Sequence, residues 1–480
     1  MSKAEAQLAE SVAMNEALNW LGEKTEDPLD ELVPLRRHLR GVLSLPLQPL
    51  VLLKLLDLFE PRVARIHKLV FPLLLDAATP LPRNLRVISQ SLVDLHGSLA
   101  EGFLKVIQHA VGEGFQRPKR RRDTLAARTL TSLRNQYELS LRTASGTPQD
   151  FWRHVGILLQ ANQPGSESYL DSPAQNVLKL LLAIHAAQAE ALTPREQEFL
   201  WRYTEILSAQ VELASSLSKK NDAWLWMDTN DERAPTPASR RAPPSADGLV
   251  FYTCKMLGKL TQASLDDFSA PAAYRNVLHH AARRWLNPPQ RRHNRRRGNY
   301  RIEVCPRLSS LWSLLHGDLS ETAAAQVINE WQVVNDSPAG YAAMHIAGNM
   351  PNLLAGSVIG IRRNDKELWS LCMVRWIRSE NSEHLEVGLE VLAPHAEAVR
   401  IASGSRPDAP TPALLLPPMN GTHRGETLLT ERGVYESGRI ALMNEVDGKF
   451  QVVECQPQPL VVQTSSVELF EFQRILHPST

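Results

Sequence analysis

Arg291-Arg292-His293-Asn294-Arg295-Arg296-Arg297-Gly298-Asn299-Tyr300-Arg301 runs directly into Ile302-Glu303-Val304, and the turn Asn335-Asp336-Ser337-Pro338-Ala339-Gly340 follows it. Before this stretch, apolar residues recur at three- and four-residue spacing; after it they come in short bounded runs, so the chain changes here from helix to strand. The 480 residues together carry a formal charge of only +1. A local concentration of guanidinium groups is therefore not inherited from composition, and an anion is the first partner it suggests.

Working outward toward the N-terminus, residues 1–227 read as an all-helical domain. Leu52-Leu53-Leu55-Leu56-Phe59 and Val177-Leu178-Leu181-Leu182-His185 share helical faces. Thr147-Pro148-Gln149-Asp150, Ser172-Pro173-Ala174-Gln175 and Thr193-Pro194-Arg195-Glu196 each place a hydroxyl at a helix cap and proline in the first turn. Residues 228–248 are polar and proline-rich and predict a mobile loop or linker. Residues 249–290 return to helix, with Tyr274, Val277, Leu278, Ala281, Ala282 and Trp285 on one face before Pro288-Pro289 ends it.

Toward the C-terminus, residues 291–405 predict an antiparallel β-barrel. Strand patterns at 369–376 and 385–392 are separated by turn residues such as Gly348-Asn349, Asn364-Asp365 and Ser379-Glu380-Asn381-Ser382. A helical insertion at 306–328 interrupts it. Pro407-Asp408-Ala409-Pro410-Thr411-Pro412 reads as a joint, and residues 406–480 as a second, small β module with hairpin turns at Gly433-Val434-Tyr435-Glu436-Ser437-Gly438 and Val446-Asp447-Gly448. The fold class is thus α+β and multidomain.

Several functional classes lack their signatures. Cys254, Cys305, Cys372 and Cys455 lie far apart without a CxxC pair and read as buried, reduced thiols. The first twenty residues contain charges and no apolar core, so no signal peptide is expected. The apolar stretch at 42–59 is cut by Pro46 and Pro49 and carries Lys54 and Asp57, which fits a buried helix rather than a membrane span. There is no Walker loop, GxSxG elbow or HExxH helix; His279-His280 and His185 read as packing residues. No catalytic residue, metal ligand or cofactor is expected.

Three readings of the arginine run compete. It can be a solvated junction between helix and barrel. It can grip nucleic-acid phosphates, although such sites spread charge widely and interleave aromatics, whereas Tyr300 is the only aromatic in the run. A compact anion fits better, because guanidinium holds phosphate bidentately and stacks on purine. Asn335-x-Ser337-x-x-Gly340 is ordinary turn chemistry, yet it also offers an amide, a hydroxyl and a close backbone approach.

Together the segments resemble the PilZ domain, a bacterial receptor module for cyclic di-GMP marked by RxxxR before the first barrel strand and [DN]xSxxG on a following one. Arg297-x-x-x-Arg301 and Asn335-x-Ser337-x-x-Gly340 match in order, and residues 354–360, 369–376 and 387–392 look like the family's later strands. The resemblance implies that Arg297 and Arg301 hold phosphate and guanine, that Asn335 and Ser337 contact guanine edges, and that Gly340 lets the ligand approach. Arg296 or Arg292 would assist; the pairs Arg291/Arg295 and Arg292/Arg296 have the same spacing and stay open. The helical insertion departs from the minimal family pattern, so loss of binding stays an alternative. The narrower likeness to receptors of pili and surface attachment implies a cytoplasmic effector of biofilm or motility, recruited to the cell pole or inner-membrane machinery. Its helical domain would engage an unknown protein partner such as pilus or motility machinery, and nucleic acid is disfavoured.

Overall fold

The computed structural model describes residues 3–22, 27–112, 119–160, 172–217, 223–267, 269–290, 293–364, 367–381, 383–403, 406–418, 425–436, 438–446 and 449–475. The chain divides into two compact units: residues 1–77, 81–189 and 194–291 form the first, and residues 78–80, 190–193 and 292–480 the second.

The first unit is helical, as the periodicity predicts. Its helices are α1 (Lys3–Gly22), α2 (Leu32–Ser44), α3 (Pro49–Val70), α4 (Arg83–Gly112), α5 (Lys119–Arg142), α6 (Phe151–Gln160), α7 (Ser172–Ala186), α8 (Pro194–Leu207), α9 (Lys255–Asp266) and α10 (Arg275–Leu286). The stripe Leu52, Leu55, Leu56, Phe59 on α3 packs with Leu92, Leu95, Leu99 and Phe103 of α4 in one core. Proline sits in the first turn of α3 and of α8, where its missing N–H is not needed. The start expected at Thr147 falls later: Asp150 takes a left-handed φ of 63°, and α6 begins at Phe151. The side chain of Ser172 lies outside the described residues.

This unit also contains a sheet that helical periodicity did not predict. Strands β1 (Glu212–Ala214), β2 (Trp224–Asp228), β3 (Thr236–Pro237) and β4 (Leu249–Thr253) lie in the order β1-β4-β2-β3. Trp224, Leu225, Trp226 and Met227 are all buried, so no alternation betrays the strand. Residues 228–248, expected as a mobile loop or linker, connect neighbouring strands β2 and β4 within the unit and include β3. Thr236 and Pro237 pair with Trp226 and Leu225. The Trp226 indole donates to the Arg241 carbonyl at 2.7 Å, and His185 Nε2 meets the Pro235 carbonyl at 3.0 Å. The segment is thus held by backbone pairing, by two ring nitrogens and by the burial of Pro235 and Pro237.

The second unit holds two closed antiparallel barrels. The first consists of β5 (Arg296–Cys305), β6 (Asn329–Ser337), β7 (Gly340–Ala347), β8 (Val358–Arg362), β9 (Ser370–Arg378) and β10 (Glu386–Ala393), in the order β10-β7-β6-β5-β8-β9. Ile302, Val304, Trp331, Val333, Ile359, Val374 and Val387 fill its interior, each such aliphatic side chain contributing about 1.5–3 kcal/mol on burial. The expected insertion appears between β5 and β6 as α11 (Leu308–His316), ended by Gly317 at φ 84°, and α12 (Glu321–Val327), capped by Ser320 Oγ accepting from the Ala323 N–H at 3.3 Å.

The expected small module is itself a six-stranded barrel: β11 (Glu397–Ser403), β12 (Arg406–Leu416), β13 (Thr427–Glu431), β14 (Ile440–Val446), β15 (Lys449–Gln463) and β16 (Val467–Arg474). Three sequence readings change here. The boundary moves from 405/406 to the segment between Ala393 and Glu397, because β11 pairs with β12 and β14. The proline-rich joint is part of β12; Arg406, Thr411, Pro412 and Ala413 pair with β11 alone, residues 407–410 fall where the register shifts, and a flank without a partner strand tolerates residues lacking an N–H. The 433–438 turn is not a hairpin, since β13 pairs with β12 and β16 while β14 pairs with β11 and β15. Asp365, Ser382, Ser437, Asp447 and Gly448, named among the expected turns, lie outside the described residues.

The two barrels share apolar contacts through α11. Leu311 and Trp312 belong to one cluster with Leu371, Met373 and Leu392 of the first barrel and Leu414, Leu416, Leu429 and Leu469 of the second. The Trp312 indole donates to the Val399 carbonyl at 2.8 Å, and the Arg400 guanidinium lies 4.7 Å from the Trp312 ring centre.

Candidate ligand-binding site

Strand β5 begins at Arg296, so the RxxxR pattern lies on the strand and not ahead of it. Its antiparallel neighbour β6 carries the second segment. In the register, Arg296 stands opposite Asp336, Arg297 opposite Asn335, and Arg301 opposite Gln332. The two segments, more than thirty residues apart in sequence, are thus cross-strand neighbours. A bulge between Arg297 and Tyr300 interrupts the ladder. Gln332 spans it: Nε2 donates to Asn299 Oδ1 at 3.0 Å and to the Tyr300 carbonyl at 3.3 Å.

The bulge decides which way the side chains face. Ile302 and Val304 point into the barrel, so Arg301 between them and Tyr300 points out. Arg296, Arg297 and Arg301 are exposed. Arg301 Nη1 forms an ion pair with Glu330 Oε1 at 2.7 Å. Arg296 and Arg297 make no ion pair or side-chain hydrogen bond among the described residues, and neither does Arg295. Arg291 and Arg292 lie outside the described residues, so each of the alternative pairs retains one placed member.

Strands β6 and β7 join through the two-residue turn Pro338-Ala339, with Ser337 paired to Gly340 and Ser337 Oγ donating to the Gly340 carbonyl at 3.3 Å. A side chain on Gly340 would overlap the Leu389 carbonyl oxygen of β10. Barrel closure is therefore sufficient to require this glycine. Asn335 Oδ1 is buried and has no hydrogen-bond partner among the described residues. A buried amide oxygen without a donor loses roughly 1–3 kcal/mol relative to one that has a partner.

Four residues outside the specified positions of the two patterns shape the same surface. Tyr300 Oη donates to Asp336 Oδ2 at 2.9 Å, tying the residue before Arg301 to the residue after Asn335. Burial and the Asp336 carboxylate both push the Tyr300 phenol above its usual pKa. Arg363, just past β8, stacks with its guanidinium 4.6 Å from the Tyr300 ring centre. Arg301, Glu303, Asn329, Glu330 and Arg363 line a groove of about 600 Å³. Asp336 and Tyr300 were visible inside the quoted stretches. Glu330 and Arg363 carried no local signal, because cross-strand pairing alone brings them to Arg301.

Elsewhere the structure gives the remaining candidates ordinary roles. His280 Nε2 meets the Ala187 carbonyl at 2.8 Å, and burial lowers the His185 pKa to about 4. All four cysteines are buried free thiols. Among the described residues no helix is long and apolar enough to cross a membrane, and no cluster of three metal-ligating side chains occurs.

Three family models match the chain in order. Residues 15–218 match the N-terminal domain of the cyclic-di-GMP receptor FimW, residues 313–398 its middle PilZ domain, and residues 397–475 its C-terminal β-barrel domain. The middle match contains Asn335, Ser337 and Gly340 and takes in residues 313–328 of the helical insertion; Arg297 and Arg301 precede it. Among curated proteins, the cyclic-di-GMP receptor FimW of Pseudomonas aeruginosa strain PAO1 is 29% identical over 115 residues, covering 23% of this chain and 19% of that receptor. The chain thus aligns with about a fifth of that relative's length. No solved structure matches.

Proposed function

We propose, from the premise that the chain belongs to the FimW family by its three consecutive domains, that it is a receptor which binds cyclic di-GMP on β5 and β6 of the first barrel. The observation that carries this reading is the register that sets Arg297 directly across from Asn335. It places unpaired guanidinium groups beside an amide oxygen that lacks a donor. Cyclic di-GMP supplies what both need: phosphodiester anions for the arginines, and guanine N–H groups for the amide.

In this reading Arg297 and Arg301 hold phosphate and stack on guanine, with Arg296 assisting, while Asn335 Oδ1 and Ser337 meet the guanine edge. Arg292 keeps its assisting role only as a sequence expectation. Gly340 serves closure of the barrel first. Arg301 must exchange Glu330 for phosphate. The exchange is favourable, because an exposed ion pair stabilises by about 0–1 kcal/mol whereas a bidentate charge-assisted contact to phosphate is stronger.

The response we propose is a change in arrangement between the helical unit and the barrel unit, read by a protein partner of pilus or motility machinery on a cytoplasmic surface. Small-angle scattering that is identical with and without saturating ligand counts against that output. Calorimetric titration of the intact protein tests the binding itself: heat with cyclic di-GMP that disappears in Arg301→Ala supports it. No heat, or salt-steep binding to arbitrary nucleic acid instead, overturns it.

A further inference from the structure

The groove beside the two motif strands is lined by an arginine that neither pattern includes. We propose that Arg363 binds a phosphate of the cyclic dinucleotide, so that the ligand is clamped from the β8 side as well as from β5. The inference rests on the reading above and extends it to a residue that follows a non-consecutive strand.

Placement comes first. β8 is the other neighbour of β5, with Glu303 opposite Arg362, and this pairing brings the end of β8 beside the motif strand. Arg363 follows immediately and lines the same groove as Arg301. Its guanidinium is pre-oriented: it lies 4.6 Å from the centre of the Tyr300 ring and donates to Tyr300 Oη at 3.4 Å. Tyr300 Oη in turn donates to Asp336 Oδ2 at 2.9 Å. A fork held against a ring loses less rotamer freedom on binding than a free side chain does.

Charge balance singles this arginine out. The carboxylates of the groove already have partners, Glu330 with Arg301 at 2.7 Å and Glu303 with Arg362 at 2.5 Å. Arg363 is exposed and makes no ion pair among the described residues. Its contact is a phenol whose own proton is directed to Asp336. An incoming dianion therefore finds here a guanidinium that need not first give up a carboxylate.

The wall of the groove adds an independent observation. Asn329 is only 3% exposed. Its Nδ2 donates to the Asn349 carbonyl at 2.9 Å, while its Oδ1 has no partner among the described residues. A buried polar atom left without a partner in a groove wall fits a surface completed by a polar ligand.

The test is calorimetry with cyclic di-GMP on the full chain. Arg363→Ala is expected to weaken binding about tenfold, the size of one charge-assisted hydrogen bond, with the unfolding midpoint of the ligand-free protein unchanged. Tyr300→Phe, which keeps the ring and removes the hydroxyl, should weaken binding by less. Wild-type affinity in Arg363→Ala, with binding lost in Arg301→Ala, overturns this inference and leaves the receptor reading standing. Absence of binding by the wild-type protein removes both. If Arg363→Ala fails to fold, Arg363→Lys reads the same contact: several-fold weakening supports it, and unchanged affinity overturns it.

Discussion

Both barrels of the second unit close six antiparallel strands, yet they treat their charged groups differently. In the second, the carboxylate of Glu468 is 3% exposed and accepts from the backbone N–H groups of Val434 (3.1 Å) and Tyr435 (2.9 Å) and from Gln463 Nε2 (2.9 Å). Arg439 pairs with Glu454 and Arg474 with Glu426. In the first, Arg296 and Arg297 stand without side-chain partners among the described residues, next to Asn335 Oδ1. Unpartnered buried atoms alone do not separate the two, since Thr427 and Thr430 of the second barrel also have them. Their coincidence with unopposed guanidinium groups on a neighbouring strand does. A closed barrel is thus a neutral scaffold, and ligand binding depends on which polar groups its own fold leaves unused.

The largest expected effect contrasts one arginine from each barrel. Arg301→Ala should weaken cyclic di-GMP binding more than about 100-fold, equivalent to about 2.7 kcal/mol, whereas Arg439→Ala leaves the calorimetric affinity unchanged. Equal losses would break the comparison. Next comes stability: Glu468→Ala strands two backbone N–H groups and should lower the unfolding free energy in urea by about 2–3 kcal/mol. Asn335→Ala inverts that pattern. It removes an oxygen the fold does not use, so stability should change by under about 0.5 kcal/mol while affinity falls about tenfold; a stability loss matching that of Glu468→Ala would make Asn335 a structural residue. The smallest effect is a gain: Glu330→Gln removes the carboxylate that competes for Arg301 and should raise affinity about two- to fivefold, within the range of an exposed ion pair. Unchanged affinity would mean that Arg301 reaches the ligand without leaving Glu330.

The sequence displayed the strands of the candidate site more clearly than it displayed some of the scaffold. Alternation around Ile302 and Val304 and the turn chemistry at Pro338-Ala339 are local, and so were readable. β2 was hidden because Trp224-Leu225-Trp226-Met227 is buried on both faces and shows no period of two. β12 was hidden by prolines that only a strand with one open flank accepts. The start of β5 was placed too late because Arg296 and Arg297 look like a solvated run until their partners Asp336 and Asn335 are known. Arg363 could not be found at all from its surroundings in sequence. Its position follows from β8 pairing with β5 across the two helices of the insertion, a long-range contact that no local pattern encodes.

The cluster around Trp312 carries a practical consequence for dissecting the molecule. Because α11 lies in one apolar layer with both barrels, the second barrel is not a detachable tail. A chain cut between Ala393 and Glu397 would uncover Leu311, Leu371, Met373 and Leu392 on one side and Leu414, Leu429 and Leu469 on the other. Such fragments would present the contiguous greasy faces that draw molecules together. A piece meant to be transplanted or expressed must therefore keep both barrels together, because the second covers the apolar face of the one that holds the arginines.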